Sequence, residues 1–317
     1  MRAAVLVEPR AVRVERVPRP RPGAGQVLVR VEGCGVCGSN LPTWQGRPWF
    51  RYPVDPGSPG HEAWGRVEEV GPGVSPSGPG QRVAFLGNRG FAELAVAQAD
   101  QCVPLPAALD GAPFPGEAIG CAFNIARRSR VEPGQTVAVV GIGFLGTLLV
   151  RLFSQAGARV IAIGRRPWTL ELARAQGAAE LVPMDDHARI LERVRDLTEG
   201  RLCERVVEVV GEQWPLDLAG ALTGERGTLV IAGYHQDSPR SVDMQLWNWR
   251  GIDVVNAHER DPRVYRQGME DAVAAAASGM LDVRRYVTHS VPMERAAEAF
   301  ALLEQRPQGF LKAVVTP

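Results

Sequence analysis

The chain has 317 residues, which is more than one hydrophobic core usually organises, so two domains are expected. A formal net charge of +1 excludes the strong field that nucleic acid or an anionic membrane would require, and no apolar run approaches the roughly 20 residues of a membrane helix, so we expect a small-molecule partner. Five cysteines, an odd number, exclude a disulfide scaffold and favour a reducing cytoplasm.

The first part of the chain, up to about residue 115, has the pattern of an all-β unit. Short apolar runs such as QVLVRV, GRVEEV and QRVAFL alternate with the Pro and Gly clusters PRPRPGAG and GPGVSPSGPG. The apolar run of MRAAVLV ends at Glu8, so it is too short for a signal peptide and predicts a first strand instead.

Two segments of this β unit carry residue types that bind metals. Cys37 lies in GCGVCGSN and His61 lies in Gly-His-Glu, and both suit a catalytic zinc, which takes about three protein ligands. The third ligand is predicted to be Glu117, with Cys121 as the rival, since both lie at the boundary between the β unit and the next domain. Glu62, beside a ligand, is predicted to support that ligand or to exchange with it.

From about residue 117 to residue 254, apolar strands alternate with helical stretches, as in TVAVV, RVIAIG and GTLVIAG with helices between them. This alternation predicts βαβ units and a parallel sheet covered on both faces. The amphipathic run MERAAEAFALLEQ then predicts a surface helix, and FLKAVV predicts a terminal strand. We expect residues 1–118 and 255–317 to form one domain and residues 119–254 the other.

A dinucleotide fingerprint opens the second domain. TVAVV runs directly into the sequence GIGFLG, in which Gly141 permits a tight turn, Gly143 lets the backbone approach a pyrophosphate and Gly146 allows close packing of helix on strand. Phe144 and Leu145 lie at the start of the helix that follows, whose N-terminal amides favour phosphate groups. The sequence therefore predicts a nucleotide site, the alternative being a glycine-rich turn with packing duties alone.

The end of the next strand discriminates between the two nicotinamide cofactors. NAD-binding proteins place an acidic residue there to bind the ribose hydroxyls, but RVIAIG ends in Gly164 and is followed by Arg165 and Arg166. Guanidinium groups bind a 2′-phosphate through charge-assisted hydrogen bonds, so NADP(H) is favoured over NAD(H). The alternative is that both arginines form a solvated start of a helix.

These motifs, in this order and spacing over nearly the whole chain, resemble the medium-chain dehydrogenase/reductase superfamily, in its zinc alcohol, polyol and sugar dehydrogenase branch. The resemblance implies an α/β fold made of a GroES-like, mostly-β catalytic domain and a Rossmann domain with a doubly wound parallel sheet. It implies one catalytic zinc, held by Cys37, His61 and Glu117, with Ser39 passing a proton from the bound substrate.

The resemblance also implies a cofactor site and an oligomeric state. Backbone at Ala232, Gly233 and Tyr234 and near Val254 would hold the nicotinamide carboxamide, Val210 would also contact the cofactor, and Lys312 would take a basic position that binds phosphate. The predicted function is hydride transfer between NADP(H) and a secondary alcohol or ketone, with a polyol, sugar or cyclitol as substrate. The last strand of the nucleotide sheet, in RGIDVVNAHERD, is expected to pair two subunits into a homodimer.

The chain departs from the family pattern in three places. Asn40 stands where the family commonly has an aspartate, so the carboxylate that usually supports the zinc ligands is missing. Residues 41–43, Leu-Pro-Thr, offer no relay histidine. The four-cysteine lobe that holds a structural zinc is also absent, because residues 81–87 lead almost directly to residues 90–93, so one zinc per chain is expected.

Several readings of the sequence stay open. The aromatic residues Trp44, Trp49, Phe50 and Tyr52 either line a substrate pocket or pack in the core. His258 faces either the substrate or the subunit interface. Two other functions are compatible with the motifs: a zinc-free enone or quinone reductase on the same fold, and a nucleotide-binding protein without catalytic activity.

Overall fold

The computed structural model describes residues 1–75 and 78–317. Its helices and strands follow one another as β1 (Arg2–Glu8), β2 (Ala11–Arg16), β3 (Gln26–Gly35), α1 (Leu41–Gln45), β4 (Glu62–Val70), β5 (Arg82–Phe85), β6 (Leu94–Gln98), β7 (Cys102–Pro104), α2 (Gly116–Ser129), β8 (Thr136–Val140), α3 (Phe144–Gln155), β9 (Arg159–Gly164), α4 (Pro167–Ala175), β10 (Glu180–Pro183), α5 (His187–Leu197), β11 (Cys203–Glu208), α6 (Gln213–Leu222), β12 (Thr223–Ile231), α7 (Met244–Arg250), β13 (Asp253–Asn256), α8 (Pro262–Ala277), β14 (His289–Pro292), α9 (Ala296–Gln305) and β15 (Ala313–Thr316). Among these helices, none has the length and apolar composition needed to cross a membrane.

The chain divides into two compact units. The first contains Met1–Cys121 together with Arg260–Pro317, and the second contains Ala122–Glu259. A mostly-β unit and a unit built on a parallel sheet confirm the predicted α/β class. The domain limits predicted from the sequence, at residues 118 and 255, remain a prediction.

In the first unit, a seven-stranded sheet runs in the order β14-β15-β3-β4-β5-β7, with β6 also paired to β3, and β1 and β2 form a separate hairpin. The long strand β3 is buried along most of its length because it pairs with β4, β6 and β15. Its end lies beside the C-terminal strand: Gly35 pairs with Val314, and Val36 N donates to Ala313 O at 3.0 Å. This pairing brings the chain end to the segment that contains Cys37.

In the second unit, six parallel strands run in the order β10-β9-β8-β11-β12-β13. The apolar runs TVAVV and RVIAIG form β8 and β9 and are almost entirely buried, as expected for strands covered on both faces. This is the doubly wound order in which the direction of chain progression reverses between β8 and β11, and ligands of such sheets bind at the carboxyl ends of the strands near that point.

The last strand of this sheet is an exposed edge. Among the described residues, β13 pairs with β12 alone, and the side chain of Val254 on β13 is 43% exposed. Helix α7, just before it, carries Trp249, which is 88% exposed. Exposed edge strands and large apolar side chains are unfavourable in water, so this face is a candidate contact surface.

Candidate metal centre and nucleotide site

Strand pairing in the first unit brings the two predicted metal segments together. Cys37 follows the end of β3 and precedes a short 3-10 turn at Gly38–Asn40, while His61 immediately precedes β4. In the antiparallel ladder, Gly35 lies opposite Glu62. Residues just beyond these two strand ends therefore lie side by side, although 24 positions separate Cys37 from His61 in the sequence.

A three-residue set of metal-binding side chains results. One ligand atom from each of Cys37, His61 and Glu62 lies within 4.8 Å of the other two. Cys37 and His61 are half-buried and Glu62 is fully buried. A thiol, an imidazole and a carboxylate are the donor types that zinc takes in proteins, so the residues present fit a transition-metal ion of this class.

The imidazole of His61 is oriented for such an ion. Its Nδ1 lies 2.9 Å from Pro59 O, and a carbonyl oxygen only accepts hydrogen bonds, so Nδ1 carries the proton. The Nε2 atom is left as the metal-binding atom, and Ser39 Oγ lies 3.4 Å from it. Metal-binding histidines usually have their second nitrogen fixed by a carboxylate or carbonyl in this way.

Asn40 fits this carbonyl-based arrangement. The side chain is buried; Nδ2 donates to Pro59 O at 3.1 Å, and Oδ1 accepts from Cys37 N at 2.9 Å. Asn40 therefore joins the segments of both ligands and shares the carbonyl that orients His61. An aspartate here would present only acceptors to Pro59 O, so the departure from the family pattern matches the use of a backbone carbonyl in place of a carboxylate.

Glu62 has a buried cationic partner that was not foreseen. Lys312 Nζ donates to Glu62 Oε1 at 2.7 Å, to Glu62 Oε2 at 2.8 Å and to Val36 O at 3.3 Å. Burial lowers the pKa of Lys312, but the hydrogen bond to Glu62 and the charges of Glu62, Cys37 and Glu117 together outweigh it, so the pKa is raised and the lysine stays charged. Lys312 was predicted to bind phosphate; this contact does not support that role, which remains a prediction.

The two candidates for the third ligand lie one turn apart on α2. Cys121 Sγ donates to Glu117 Oε1 at 3.3 Å. Burial raises the pKa of Glu117, and the charge of His61 offsets this only in part. Burial, and after it the charge of Glu117, raises the pKa of the Cys121 thiol well above its usual value. Neither residue belongs to the 4.8 Å set found among the described residues, and in the hydrogen bond between them the Cys121 thiol is the donor and the Glu117 carboxylate the acceptor.

The segments that contain Cys37 and His61 form a site with excess negative charge. Burial lowers the pKa of His61, but a hydrogen bond to Cys37 and the charges of Cys37, Glu117 and Glu62 raise it to about 10. In the absence of a metal, the imidazole therefore carries a proton that compensates the anionic groups. A divalent cation would take the place of that proton, since metal binding requires neutral histidine and thiolate.

In the second unit, two of the three fingerprint glycines have a geometry that requires glycine, and the third leaves open space. Gly141 has a φ of +108°, and a Cβ at Gly146 would lie 1.9 Å from Gly141 O. A Cβ at Gly143 would meet no described atom within 4 Å, so the backbone there is open to a ligand. Helix α3 begins at Phe144 and continues through Leu145, so its N-terminal amides point to this open side.

The end of β9 carries the residues predicted to select the cofactor. Gly164 is buried against Ile142, and Arg165 is exposed. The guanidinium of Arg166 lies 5.3 Å from the ring centroid of Trp168, which is a cation–π contact. Positive charge and an aromatic face therefore occur together at the carboxyl end of this strand.

The ends of β11 and β12 supply the remaining predicted cofactor residues. Ala232 N and Gly233 N donate to Glu208 O, each at 2.8 Å. The half-exposed ring of Tyr234 stacks on His258 with 5.3 Å between ring centroids. Sequence reasoning missed Glu208, whose carboxylate accepts from Val210 N at 2.6 Å. The available signal was a single acidic residue within the apolar run RVVEVV.

The aromatic residues that follow the metal segment differ in their environments. Trp44 is buried; it stacks on Phe300 with 5.2 Å between ring centroids and donates to Glu304, so it packs in the core. The hydroxyl of Tyr52 donates to Thr43 O. Trp49, in contrast, is 53% exposed and is free of the core.

Comparisons with known proteins agree with this organisation. The family models "Alcohol dehydrogenase GroES-like domain" and "Zinc-binding dehydrogenase" match residues 23–107 and 145–275. An alcohol dehydrogenase of Geobacillus stearothermophilus is 33% identical over 337 residues, covering 95% of this chain and 95% of its own. Sorbitol dehydrogenase of Bacillus subtilis is 25% identical over 351 residues, covering 100% of this chain and 97% of its own.

A solved structure extends the comparison to the fold. A zinc-binding dehydrogenase from Sinorhizobium meliloti bound to NADP has a TM-score of 0.85 and 25% identity, and the match covers 100% of this chain and 99% of that one. The chain therefore belongs to the medium-chain dehydrogenase/reductase superfamily. It is an oxidoreductase of the alcohol and polyol dehydrogenase family that acts on small molecules.

Proposed function

We propose that this protein is a zinc-dependent dehydrogenase that transfers a hydride between NADP(H) and a secondary alcohol or ketone. The observation that carries the proposal is the meeting of Cys37, His61 and Glu62 within 4.8 Å at the ends of β3 and β4. A zinc-free reductase on the same fold would need no such set of donors. A nucleotide-binding protein without catalytic activity would not need Ser39 beside His61 Nε2 either.

In this proposal, Cys37, His61 and Glu117 hold a single zinc ion. Glu62 lies close enough to Cys37 and His61 to exchange with one of the ligands, and Lys312 compensates its charge when it does not. Cys121 is the rival of Glu117, but its hydrogen bond to Glu117 favours a role as a donor to that carboxylate.

When bound, zinc supplies Lewis acidity to the substrate oxygen, and the nicotinamide supplies or accepts the hydride. The chain's own residues position the site and move the proton. Ser39 Oγ lies 3.4 Å from His61 Nε2 and carries the proton to or from the substrate hydroxyl. Pro59 O and Asn40 fix the orientation of His61 throughout.

The proposed cofactor preference rests on Arg165 and Arg166. Both follow β9 at the position where an acidic residue would favour NAD(H), and guanidinium groups bind a 2′-phosphate through charge-assisted hydrogen bonds. The similar Sinorhizobium protein bound to NADP supports this preference. The glycines at 141, 143 and 146 and the backbone at Val210, Ala232, Gly233 and Tyr234 complete the proposed cofactor site.

A polyhydroxylated substrate is the proposed class. The similarity to sorbitol dehydrogenase supports a polyol, sugar or cyclitol. The exposed ring of Trp49, close in sequence to Ser39, is an aromatic face on which a sugar ring can stack.

We further propose a homodimer that works in a reducing cytoplasm. The exposed edge of β13, with Val254 and the neighbouring Trp249, supports pairing with a second copy. All five cysteines are free thiols, which supports a reducing compartment.

The test is to purify the protein, measure its zinc content, and assay it with a panel of polyols, sugars, cyclitols and simple ketones with NADPH and NADH. We expect one zinc per chain, turnover that a chelator abolishes, and a higher kcat/KM with NADPH. Turnover of enones or quinones without zinc would instead establish the zinc-free reductase. Nucleotide binding with no turnover of any substrate would establish the non-catalytic alternative.

A further inference from the structure

A second network of buried polar side chains lies at the carboxyl ends of β11 and β12. Glu208, the last residue of β11, is fully buried. Its Oε1 accepts from Val210 N at 2.6 Å and from Gly211 N at 2.8 Å, and its Oε2 accepts from His235 Nε2 at 3.0 Å. A buried carboxylate is costly unless its oxygens are hydrogen-bonded, and His235 is the partner of Oε2.

His235 joins this carboxylate to Arg240. Arg240 Nε donates to His235 Nδ1 at 2.9 Å, so the imidazole accepts at Nδ1 and donates from Nε2. Arg240 also donates to Gly211 O at 2.8 Å. The three side chains therefore close a ring that begins at the Glu208 carboxylate and returns to the turn after β11.

The turns after β11 and β12 are packed against each other within this ring. Gly211 has a φ of +86°, and a Cβ on it would lie 2.7 Å from Tyr234 O. A Cβ on Gly233 would lie 2.3 Å from Gly211 N and 2.6 Å from Glu208 Oε2. The two turns are in close contact, and Glu208 is bonded to both: its carboxylate accepts from Val210 N and Gly211 N, and its backbone carbonyl accepts from Ala232 N and Gly233 N.

We propose that Glu208, His235 and Arg240 are positioning residues that fix these two turns for the dinucleotide. This inference rests on the proposed function, in which Val210 contacts the cofactor and residues 232–234 hold the nicotinamide. A doubly wound sheet binds its ligand at the carboxyl ends of the strands, where both turns lie. When His235 is lost, Oε2 of the carboxylate loses its partner, so the turns relax and the cofactor binds more weakly.

Two substitutions of His235 separate positioning from bulk. His235→Ala removes both hydrogen bonds. His235→Gln supplies an amide group that can donate to Glu208 and a carbonyl that can accept from Arg240, so it preserves the pattern in a different side chain. His289→Ala, a histidine on β14 in the first unit, is the matched control.

The experiment measures NADPH affinity by fluorescence and amide hydrogen exchange of residues 209–211 in the cofactor-free protein. For His235→Ala we expect about tenfold weaker NADPH binding and about tenfold faster exchange, with unchanged zinc content. His235→Gln is expected to stay within about twofold of the wild type in both measurements, and His289→Ala should match the wild type. If His235→Ala does not fold, Arg240→Gln, which removes the donor to Nδ1, is measured in its place and is expected to weaken binding in the same direction.

The inference is overturned if His235→Ala binds NADPH as tightly as the wild type, or if His235→Gln loses as much affinity as His235→Ala. Faster exchange without weaker NADPH binding overturns it as well, because the network would then hold the turns for another purpose. A wild-type protein that binds no dinucleotide defeats the proposed function and the cofactor role together; the exchange rates then report only whether the network holds the turns.

Discussion

At the scale of single residues, the side-chain amide of Asn40 holds the segments of Cys37 and His61 together. Asn40 donates to Pro59 O and accepts from Cys37 N, two tasks that need one donor and one acceptor. An aspartate cannot donate to that carbonyl. The resemblance to the family indicated that a carboxylate was missing at this position, and the structure shows that the carbonyl of Pro59 serves as the partner of His61 Nδ1.

Replacing Asn40 tests this arrangement. We expect both Asn40→Ala and Asn40→Asp to weaken zinc binding by about 10- to 100-fold, because each removes the hydrogen bond to Pro59 O that steadies the orientation of His61. Competition with a chromophoric chelator measures the affinity, and Asn88→Ala, at an exposed position, serves as the control. Tighter zinc binding by Asn40→Asp would contradict this account of the site.

Two arginines decide the proposed cofactor preference. The double substitution Arg165→Ala with Arg166→Ala should raise KM for NADPH by about 10- to 100-fold, since hydrogen bonds to charged groups contribute about 1.5–3 kcal/mol. KM for NADH should change by less than about threefold, because NADH has no 2′-phosphate. Steady-state kinetics with both cofactors measure the difference; an equal rise for both would mean that the arginines do not recognise the phosphate.

At the scale of the elements, the end of α9 is tied to α1. Glu304 accepts from Trp44 Nε1 at 3.1 Å and from Gln45 Nε2 at 2.9 Å, and it forms a bidentate pair with Arg10. The hydrogen bond from Gln45 is the main reason that the pKa of Glu304 is lowered. A carboxyl whose pKa is lower in the folded state stabilises the fold above its unfolded pKa, and that contribution is lost as the pH falls through the folded pKa.

Glu304→Gln should therefore reduce the free energy of unfolding by about 1 kcal/mol at pH 7, a value discounted for partial solvent exposure. The difference from the wild type should shrink as the pH falls below about 4, where the wild-type carboxyl is itself protonated. Urea unfolding at several pH values measures it, with Glu298→Gln on the exposed face of α9 as the control. A difference that stays constant down to pH 3 would show that the charge of Glu304 does not matter.

The sequence predicts most elements because their signals are local. The apolar runs in TVAVV and RVIAIG, the fingerprint after β8 and the amphipathic pattern of α9 each lie within about a dozen residues. The contact of Lys312 with Glu62 joins residues 250 positions apart, and no local pattern indicates it. The partners of Glu208 are not indicated by any local pattern either. A single acidic residue in an apolar run indicates burial, but it does not indicate which side chain compensates its charge.

At the scale of the whole molecule, the open edge of the parallel sheet predicts the assembly. β13 has one paired side, and Val254 and Trp249 are exposed there. Pairing with a second copy would cover both side chains and satisfy the free backbone groups of the edge. The sheet of the first unit also ends in a strand with one paired side, β7, but Cys102 and Val103 on that strand are buried.

A charge placed on this edge should prevent assembly. We expect the wild-type protein to be a dimer, and Val254→Lys to be a monomer, because a lysine in an edge strand opposes strand pairing. Light scattering after gel filtration measures the mass, and Val242→Lys, an exposed position outside the strand, is the control. A monomeric wild type, or a dimer that Val254→Lys leaves intact, would contradict the proposed interface.

The central claim is that one zinc ion is held by one thiolate together with nitrogen and oxygen donors. X-ray absorption at the zinc edge of the purified protein tests it directly. We predict one zinc per chain with a single sulfur at about 2.3 Å and the remaining donors at about 2.0–2.2 Å. Two sulfur ligands would place Cys121 in the role assigned to Glu117, and a protein that binds no zinc would contradict the account as a whole.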